Sequence, residues 1–309
     1  MNLLIPPFCL LVIASCLLAA EENHNLSVDA TDQSITIKSN NKEVLAYQLQ
    51  KPDNKKYPLE SACFFHPLKT PSGKILTDFA NADHPHHRGI FLGWVEMHGR
   101  KDADFWGWGE PAPIANRKIV HATLDQTTST STSVGFQVTN EWLADNEPLL
   151  RERLQAEVST TANSNILDLT YTLTPDADIT LARWAFSGFC IRMPKTGKLA
   201  ISSPDGPASL PAPSHTKPES DWPAAKWYDF TLTFDDNSQA GITLIDHPRN
   251  PPSLWHNHKD IRMINPAITA PGPITMKGGE RFILRYRIVA HDGAPDPATL
   301  NKLADTFGR

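Results

Sequence analysis

Two-residue alternation of apolar and polar side chains recurs along most of this chain and restricts its fold more than any other feature. Near the C-terminus Phe282, Leu284, Tyr286, Ile288 and Ala290 share one parity, while Arg281, Arg285, Arg287 and His291 share the other. The same rhythm runs through Val134, Phe136 and Val138, through Leu154, Ala156 and Val158, through Leu167, Leu169, Tyr171 and Leu173, and through Tyr228, Phe230, Leu232 and Phe234. Successive side chains of a strand point to opposite faces, so each run reads as a strand with one buried face. Antiparallel sheets show this alternation, whereas buried parallel sheets read as unbroken apolar runs. The expectation is an all-β fold of antiparallel strands over residues 21–309, as one large domain or two smaller ones, with no internal repeat.

Punctuation agrees with that rhythm. Asn40-Asn41 and Asp236-Asn237 are turn chemistry between strands. Residues 127–133 are Ser and Thr only and read as a hairpin tip with strand shoulders. Further strands are expected at Ser34–Lys38, Glu43–Gln48, Ile90–Val95, Ile119–Leu124, Ile179–Ile191 and Ala240–Ile245. The charged side of the last strand is expected to face solvent. Asp296 and Pro297 look like the N-cap and first residue of a short helix ending at Phe307. Residues 203–223 carry Pro204, Pro207, Pro211, Pro213, Pro218 and Pro223 with no apolar period, which marks a long functional or mobile loop.

The first 20 residues are an apolar run ending in Leu-Ala-Ala and read as a signal peptide, so the chain is expected to be exported. Ile13-Ala14-Ser15-Cys16 also has a lipobox pattern, which gives a lipid anchor on Cys16 as the alternative. No later stretch is long and apolar enough to span a membrane. A net charge of -5 without a basic block argues against nucleic acid as a partner. Cys63 and Cys190 are left either as one disulfide or as two buried thiols, the second being favoured by their apolar, strand-like surroundings. Two cysteines so far apart make no zinc motif.

Chemistry concentrates in residues 83–110. This stretch holds His84, His86, His87 and His98 of the chain's 12 histidines, and Trp94, Trp106 and Trp108 of its 8 tryptophans. An extended His84-Pro85-His86 puts two imidazoles on one side, with His87 opposite unless the chain turns. Alternation places Trp94, Glu96 and His98 on one strand face and Phe91, Val95 and Met97 on the other. Gly89 permits a tight turn or close backbone approach. Imidazoles, a carboxylate, a guanidinium and flat aromatic surface together are the ingredients of a polar-ligand site. A second cluster, Asp246-His247-Pro248-Arg249-Asn250 followed by Trp255-His256-Asn257-His258, repeats them.

His84-Pro85-His86-His87-Arg88-Gly89, Asp104-Phe105-Trp106, Asp246-His247-Pro248-Arg249-Asn250, Asn265-Pro266, Arg285-Tyr286-Arg287 and His291-Asp292-Gly293 resemble, in that order and spacing, a family of exported bacterial proteins. That family is labelled "methane oxygenase PmoA-like" and is otherwise a domain of unknown function. The label alludes to a multi-span membrane subunit, and this chain has no span after its first 20 residues. The overall plan is also similar to the galactose mutarotase-type β-sandwich, which implies a single large antiparallel β-sandwich domain over residues 21–309 with a sugar cleft served by His and carboxylate groups.

The reading that follows is an exported carbohydrate-active enzyme of mutarotase, lyase or hydrolase type. His84, His86, His87, Glu96 and His247 are its acid–base candidates. Arg88, His98, Asp104, Trp106, Trp108, Asn250 and Trp255 are its substrate-binding candidates, with aromatic faces for sugar rings and polar groups for hydroxyls. The partner is a carbohydrate or other small molecule, and this reading requires no cofactor. Two alternatives stand beside it. One is a metal-dependent enzyme holding a divalent metal on His84, His86 and His98 or Glu96. The other is a non-catalytic glycan-binding protein. The two histidine clusters are expected to meet in one cleft.

Overall fold

A computed structural model describes residues 25–108 and 115–308. The signal-peptide and Cys16 expectations, and the last two residues of the 83–110 stretch, lie outside them. The chain forms two large antiparallel sheets. One runs, in spatial order, Leu26–Ala30, Ser34–Ser39, Lys42–Gln48, Phe64–Leu68, Ile90–Gly93, Gly188–Arg192 and Met263–Ile264. The other runs Gly206–Pro207, Lys198–Ser203, Trp227–Thr233, Gln239–Asp246, Phe282–Asp292, Ser164–Pro175, Glu147–Thr160, Ser133–Ala144 and Arg117–Ser129. The hairpin joining the last two turns at residues 130–132, where the Ser/Thr run falls.

Alternation does the packing. Leu167, Leu169, Tyr171 and Leu173 point inward with Leu284, Tyr286 and Ile288 of the paired strand, and join Ile35, Leu45 and Phe65 from the first sheet in one buried cluster. Tyr47 meets Phe136 across the sandwich at 5.4 Å, and Phe189 stacks on Tyr286 at 4.0 Å and 13°. Such pairs contribute about 0.5–1.5 kcal/mol beyond area burial. A buried polar group also crosses the core. Asn140 donates to Tyr47 Oη and to Glu152 Oε1, each at 2.8 Å, and Trp142 Nε1 donates to Glu152 Oε2 at 2.9 Å. Burial pushes the Glu152 carboxyl up to about 7.

The C-terminal helix Pro297–Phe307 forms as its signals predict. Asp296 caps it, accepting from the backbone N–H of Ala298 and Thr299. Leu300 and Ala304 dock on Trp227, Ile245 and Val289, on the outer face of the larger sheet. This corrects the solvent expectation for the last strand at Arg287 and His291, while Arg281 is exposed as expected. Arg287 is bound bidentately by Asp168 at 2.6 Å and donates to Leu303 O. His291 is buried, with Nε2 bonded to Asp229 at 2.8 Å.

Two other expectations change. The strand expected over Ile179–Ile191 is two strands, Ile179–Leu181 and Gly188–Arg192, in different sheets. The strand at Ile90 stops at Gly93, because Trp94 O turns to accept the N–H groups of Phe105 and Trp106. The break shifts the parity, so Met97 packs in the core with Trp94, while Phe91 and Val95 join a separate cluster with Trp106 and Phe186. Cys63 and Cys190 are free thiols. Among the described residues no helix is long and apolar enough to cross a membrane.

Candidate functional site

The first histidine cluster is built by a turn. His87 N–H donates to His84 O at 3.0 Å, which brings His87 round to the side of its neighbours. The rings of His84 and His87 stack at 4.9 Å, and His86 stands edge-on to His87 at 4.6 Å. Gly89 follows at φ +62°, and a Cβ there would lie 2.1 Å from Phe65 O, so only glycine fits where the turn enters the sheet. Asp83 ties the turn down. It accepts two bonds from the Arg192 guanidinium at 2.8 and 2.9 Å, one from Lys195, and contacts His84 Nδ1 at 3.1 Å. Arg192 also donates to His87 Nδ1 at 3.3 Å, which places the His87 proton on Nε2.

Beneath the turn, Arg88 is wholly buried. Its guanidinium donates to the carbonyls of Phe105 at 2.8 Å, Trp106 at 3.3 Å and His86 at 3.4 Å, and lies 4.2 Å over the Phe91 ring. Asp104 is buried too and accepts the backbone N–H groups of Trp106 and Gly107. Both residues therefore hold the Asp104–Gly107 bend in place, and neither is open to a ligand as a substrate contact. The bend presents Trp106 as the floor of a narrow pocket and the half-buried Trp108 at its side.

The opposite wall comes from the proline-rich loop and the second cluster. Trp222 and Trp255 form an antiparallel bridge with N–H to O distances of 2.8 and 2.9 Å, and both indoles are buried against Tyr228. In that register Asp221 lies beside His256. Asp221 Oδ1 is 2.6 Å from His256 Nδ1, both side chains being fully buried, and His256 Nε2 is 3.0 Å from Nδ1 of His215. The His215 ring lines the pocket together with His84, His86, His87, Trp106, Trp108 and Phe186. His258 stacks on His215 at 5.3 Å and 12°. Half of the chain's 12 histidines thus converge here.

Burial holds all of these imidazoles below the usual histidine range: His86 and His256 to about 3, His215 to about 4, and His84, His87 and His258 in the same direction. Neighbouring rings and Arg192 add to the effect, since each added proton repels the next. The Asp221 carboxyl moves the other way. Burial, with Glu219 nearby, pushes it up to about 8, and its Oδ2 has no partner among the described residues.

These shifts describe a chain of neutral groups that can pass protons. With Asp221 ionised, His256 Nδ1–H donates to Asp221 and His215 Nδ1–H donates to His256, leaving Nε2 of His215 bare. Uptake of one proton at His215 Nε2 lets both bonds reverse. The proton count rises by one, the carboxylate becomes the neutral acid, and no imidazolium remains. Such an Asp–His–His arrangement is able to act as general base and then as general acid.

The structure does not assemble every candidate here. His247 and Asn250 line a different pocket, against Ala304, Asp305 and Gly308 of the C-terminal segment, where His247 packs edge-on to Phe307 at 4.9 Å. Asn250 there bonds Asp246 and the Arg285 backbone. Only the His256–His258 end of the second cluster reaches the first. Trp255 lies in the core and cannot offer a face to a sugar. Glu96 is bonded to His98 Nε2 and to Trp184 Nε1, both at 2.7 Å, and His98 is held on its other side by Asp102 at 3.0 Å. Those two carboxylates, Asp102 foremost, raise the His98 pKa. Neither Glu96 nor His98 contacts His84 or His86, so the metal trio of the sequence reading is not formed. Among the described residues no group of three or more His, Cys, Asp or Glu side chains has metal-holding geometry. His215 and Asp221 escaped the sequence reading altogether. The only signal for them was the irregular loop they sit on.

Similar architectures occur among solved structures. A galactose mutarotase-related enzyme from Lactobacillus acidophilus is 8% identical with a TM-score of 0.38, over 86% of this chain and 97% of that one. A galactose mutarotase-like protein from Lactobacillus casei is 10% identical with a TM-score of 0.38, over 86% and 100%. A heparan sulfate lyase from Pedobacter heparinus is 8% identical with a TM-score of 0.39, over 90% of this chain and 36% of that one. No curated protein sequence matches the chain. A family model does match, over residues 34–305, and by it the chain belongs to a family of unknown function, DUF6807.

Proposed function

We propose that this is an exported carbohydrate-active enzyme whose acid–base centre is the histidine pocket. The observation that carries the reading is the buried Asp221–His256–His215 chain ending at a pocket walled by indoles. His215 Nε2 is the proton-accepting atom, Asp221 the group that absorbs the charge, and His256 the link. His84, His86 and His87 line the facing wall, as neutral imidazoles able to hold or return a proton. Trp108 offers its half-exposed ring to the apolar face of a sugar. Proton removal from a hydroxyl, a ring carbon or a water begins mutarotation, elimination and hydrolysis alike. Glu96 and His247 have no part in this centre, and Trp255 serves it only through its backbone bridge to Trp222.

The test is turnover across three reaction types: anomer interconversion of free aldoses by NMR, appearance of unsaturated uronides by absorbance, and release of reducing ends from oligosaccharides. At least one is expected to proceed with the wild-type protein and to fall by about 10²–10⁴-fold in His215→Ala, the range of a positioned acid–base group. Glycan binding without turnover, unaffected by His215→Ala, would favour the non-catalytic binder and remove the catalytic reading.

A further inference from the structure

We infer that the groove beside the histidine pocket, lined by Lys195, Lys198, Lys259 and Arg262, is a subsite for an anionic glycan bearing carboxylate or sulfate groups. This rests on the pocket being the reacting centre. The histidine pocket has only about 10 Å³ of open volume, near the ~10–15 Å³ that a single water needs. One ring substituent fits there and a sugar ring does not, so the body of a substrate must lie outside. The neighbouring groove measures about 800 Å³, within the roughly 300–1,000 Å³ of ligand pockets.

Groove and pocket are lined by the same turn and the same loop. The 258–263 turn sends Ile261 and Met263 to the pocket and Lys259, Asp260 and Arg262 to the groove. The proline-rich loop gives Ala208, Ser209 and Leu210 to the groove and His215 to the pocket. Lys195, at the groove, is bonded at 2.9 Å to Asp83, which contacts His84 of the pocket at 3.1 Å. The groove therefore lies next to the pocket, along the same turn and the same loop.

Four basic side chains line the groove against one acidic lining residue, Asp260. Asp83 occupies Lys195, and Arg262 donates to Gly197 O. Lys198 and Lys259 are exposed and form no ion pair among the described residues. The chain as a whole is acidic at -5, so a local cationic surface stands out against the molecule's own field and favours anions. Leu199, Ile201, Pro207 and Leu210 supply apolar surface between the charges. That alternation of cation and apolar surface suits a polymer of acidic sugars, which has a charged group on each residue and C–H faces between.

Isothermal titration with three probes tests this: a galacturonate tetramer, a chondroitin sulfate tetrasaccharide and a neutral galactotetraose. At least one acidic probe is expected to bind at least about tenfold more tightly than the neutral one, and to weaken as salt rises. Lys198→Glu with Lys259→Glu is expected to weaken acidic binding by at least about tenfold, and the milder Lys198→Gln with Lys259→Gln by less. His215→Ala is expected to leave it within about twofold, because binding and proton transfer occupy different cavities. A carboxylate requirement gives similar affinities for the two acidic probes, and a sulfate requirement makes chondroitin sulfate the tighter. Equal affinity for neutral and acidic probes, acidic binding unchanged by charge reversal, or binding of neither acidic probe would overturn the subsite. Failure of the pocket reading looks different, with acidic probes bound and released by charge reversal but no turnover of any glycan.

Discussion

Asp221→Asn is expected to lower kcat by about 10²–10⁴-fold with little change in KM, because the substitution leaves the pocket's surface intact and removes the group that absorbs the proton's charge. The pH profile should change with it. In the wild type, proton uptake along His215 and His256 ends on a carboxyl that burial has pushed up to about 8. Below that point Nε2 of His215 carries a proton, and above it the nitrogen is bare, so a base-catalysed kcat/KM rises as pH climbs toward about 8. Asparagine cannot take that proton. His215 must then titrate for itself, and burial pushes it down to about 4, so the limb moves to acid pH. Stability gives an independent check. The folded carboxyl's pKa lies above the ordinary value of ~3.9. Its contribution is therefore fully present below that value and is lost as pH rises through about 8. Asp221→Asn should flatten this loss over the range between the two pKa values, as followed by Tm against pH.

Arg88→Ala is expected to cost about 3–5 kcal/mol of stability, the sum of a core cavity and buried carbonyl oxygens left without a donor. In a domain of this size that is a fall in Tm of roughly 5–15 °C. The carbonyls of Phe105, Trp106 and His86 converge on this one guanidinium, and they carry the floor and one wall of the pocket. Activity should fall in step with the folded fraction. Calorimetry and kinetics on one preparation separate this from a substrate contact, for which Tm would hold and KM would rise.

Much of the sandwich was legible because alternation reports directly on burial. The Leu167–Leu173 and Phe282–Ala290 runs needed only a period of two, and the Asp296-Pro297 cap needed only local chemistry. The Ile179–Ile191 segment misled because Ala185 and Phe186 are buried on irregular backbone, where apolar content continues and strand geometry does not. The site divides along the same line. The turn at His84–His87 is local and could be seen as a cluster. The Asp221–His256 contact depends on Trp222 bridging Trp255, a pairing set by register across the fold and invisible to spacing along the chain. The same bridge explains Trp255, whose His-rich surroundings suggested exposure and whose indole is in the core. Arg88 and Asp104 have the residue types of a ligand site, but their partners are backbone groups that only the folded bend supplies.

In the proposed function Asp221, His256 and His215 move one proton as a unit. Nitrogen-15 NMR of the histidine rings across pH observes this without any substrate. The account predicts that His256 and His215 exchange Nδ1–H for Nε2–H forms together, in one step set by Asp221, and that Asp221→Asn abolishes the step. A His215 that charges alone, to imidazolium, with a midpoint near the ordinary ~6.5 and no response from His256 or to Asp221→Asn would contradict it.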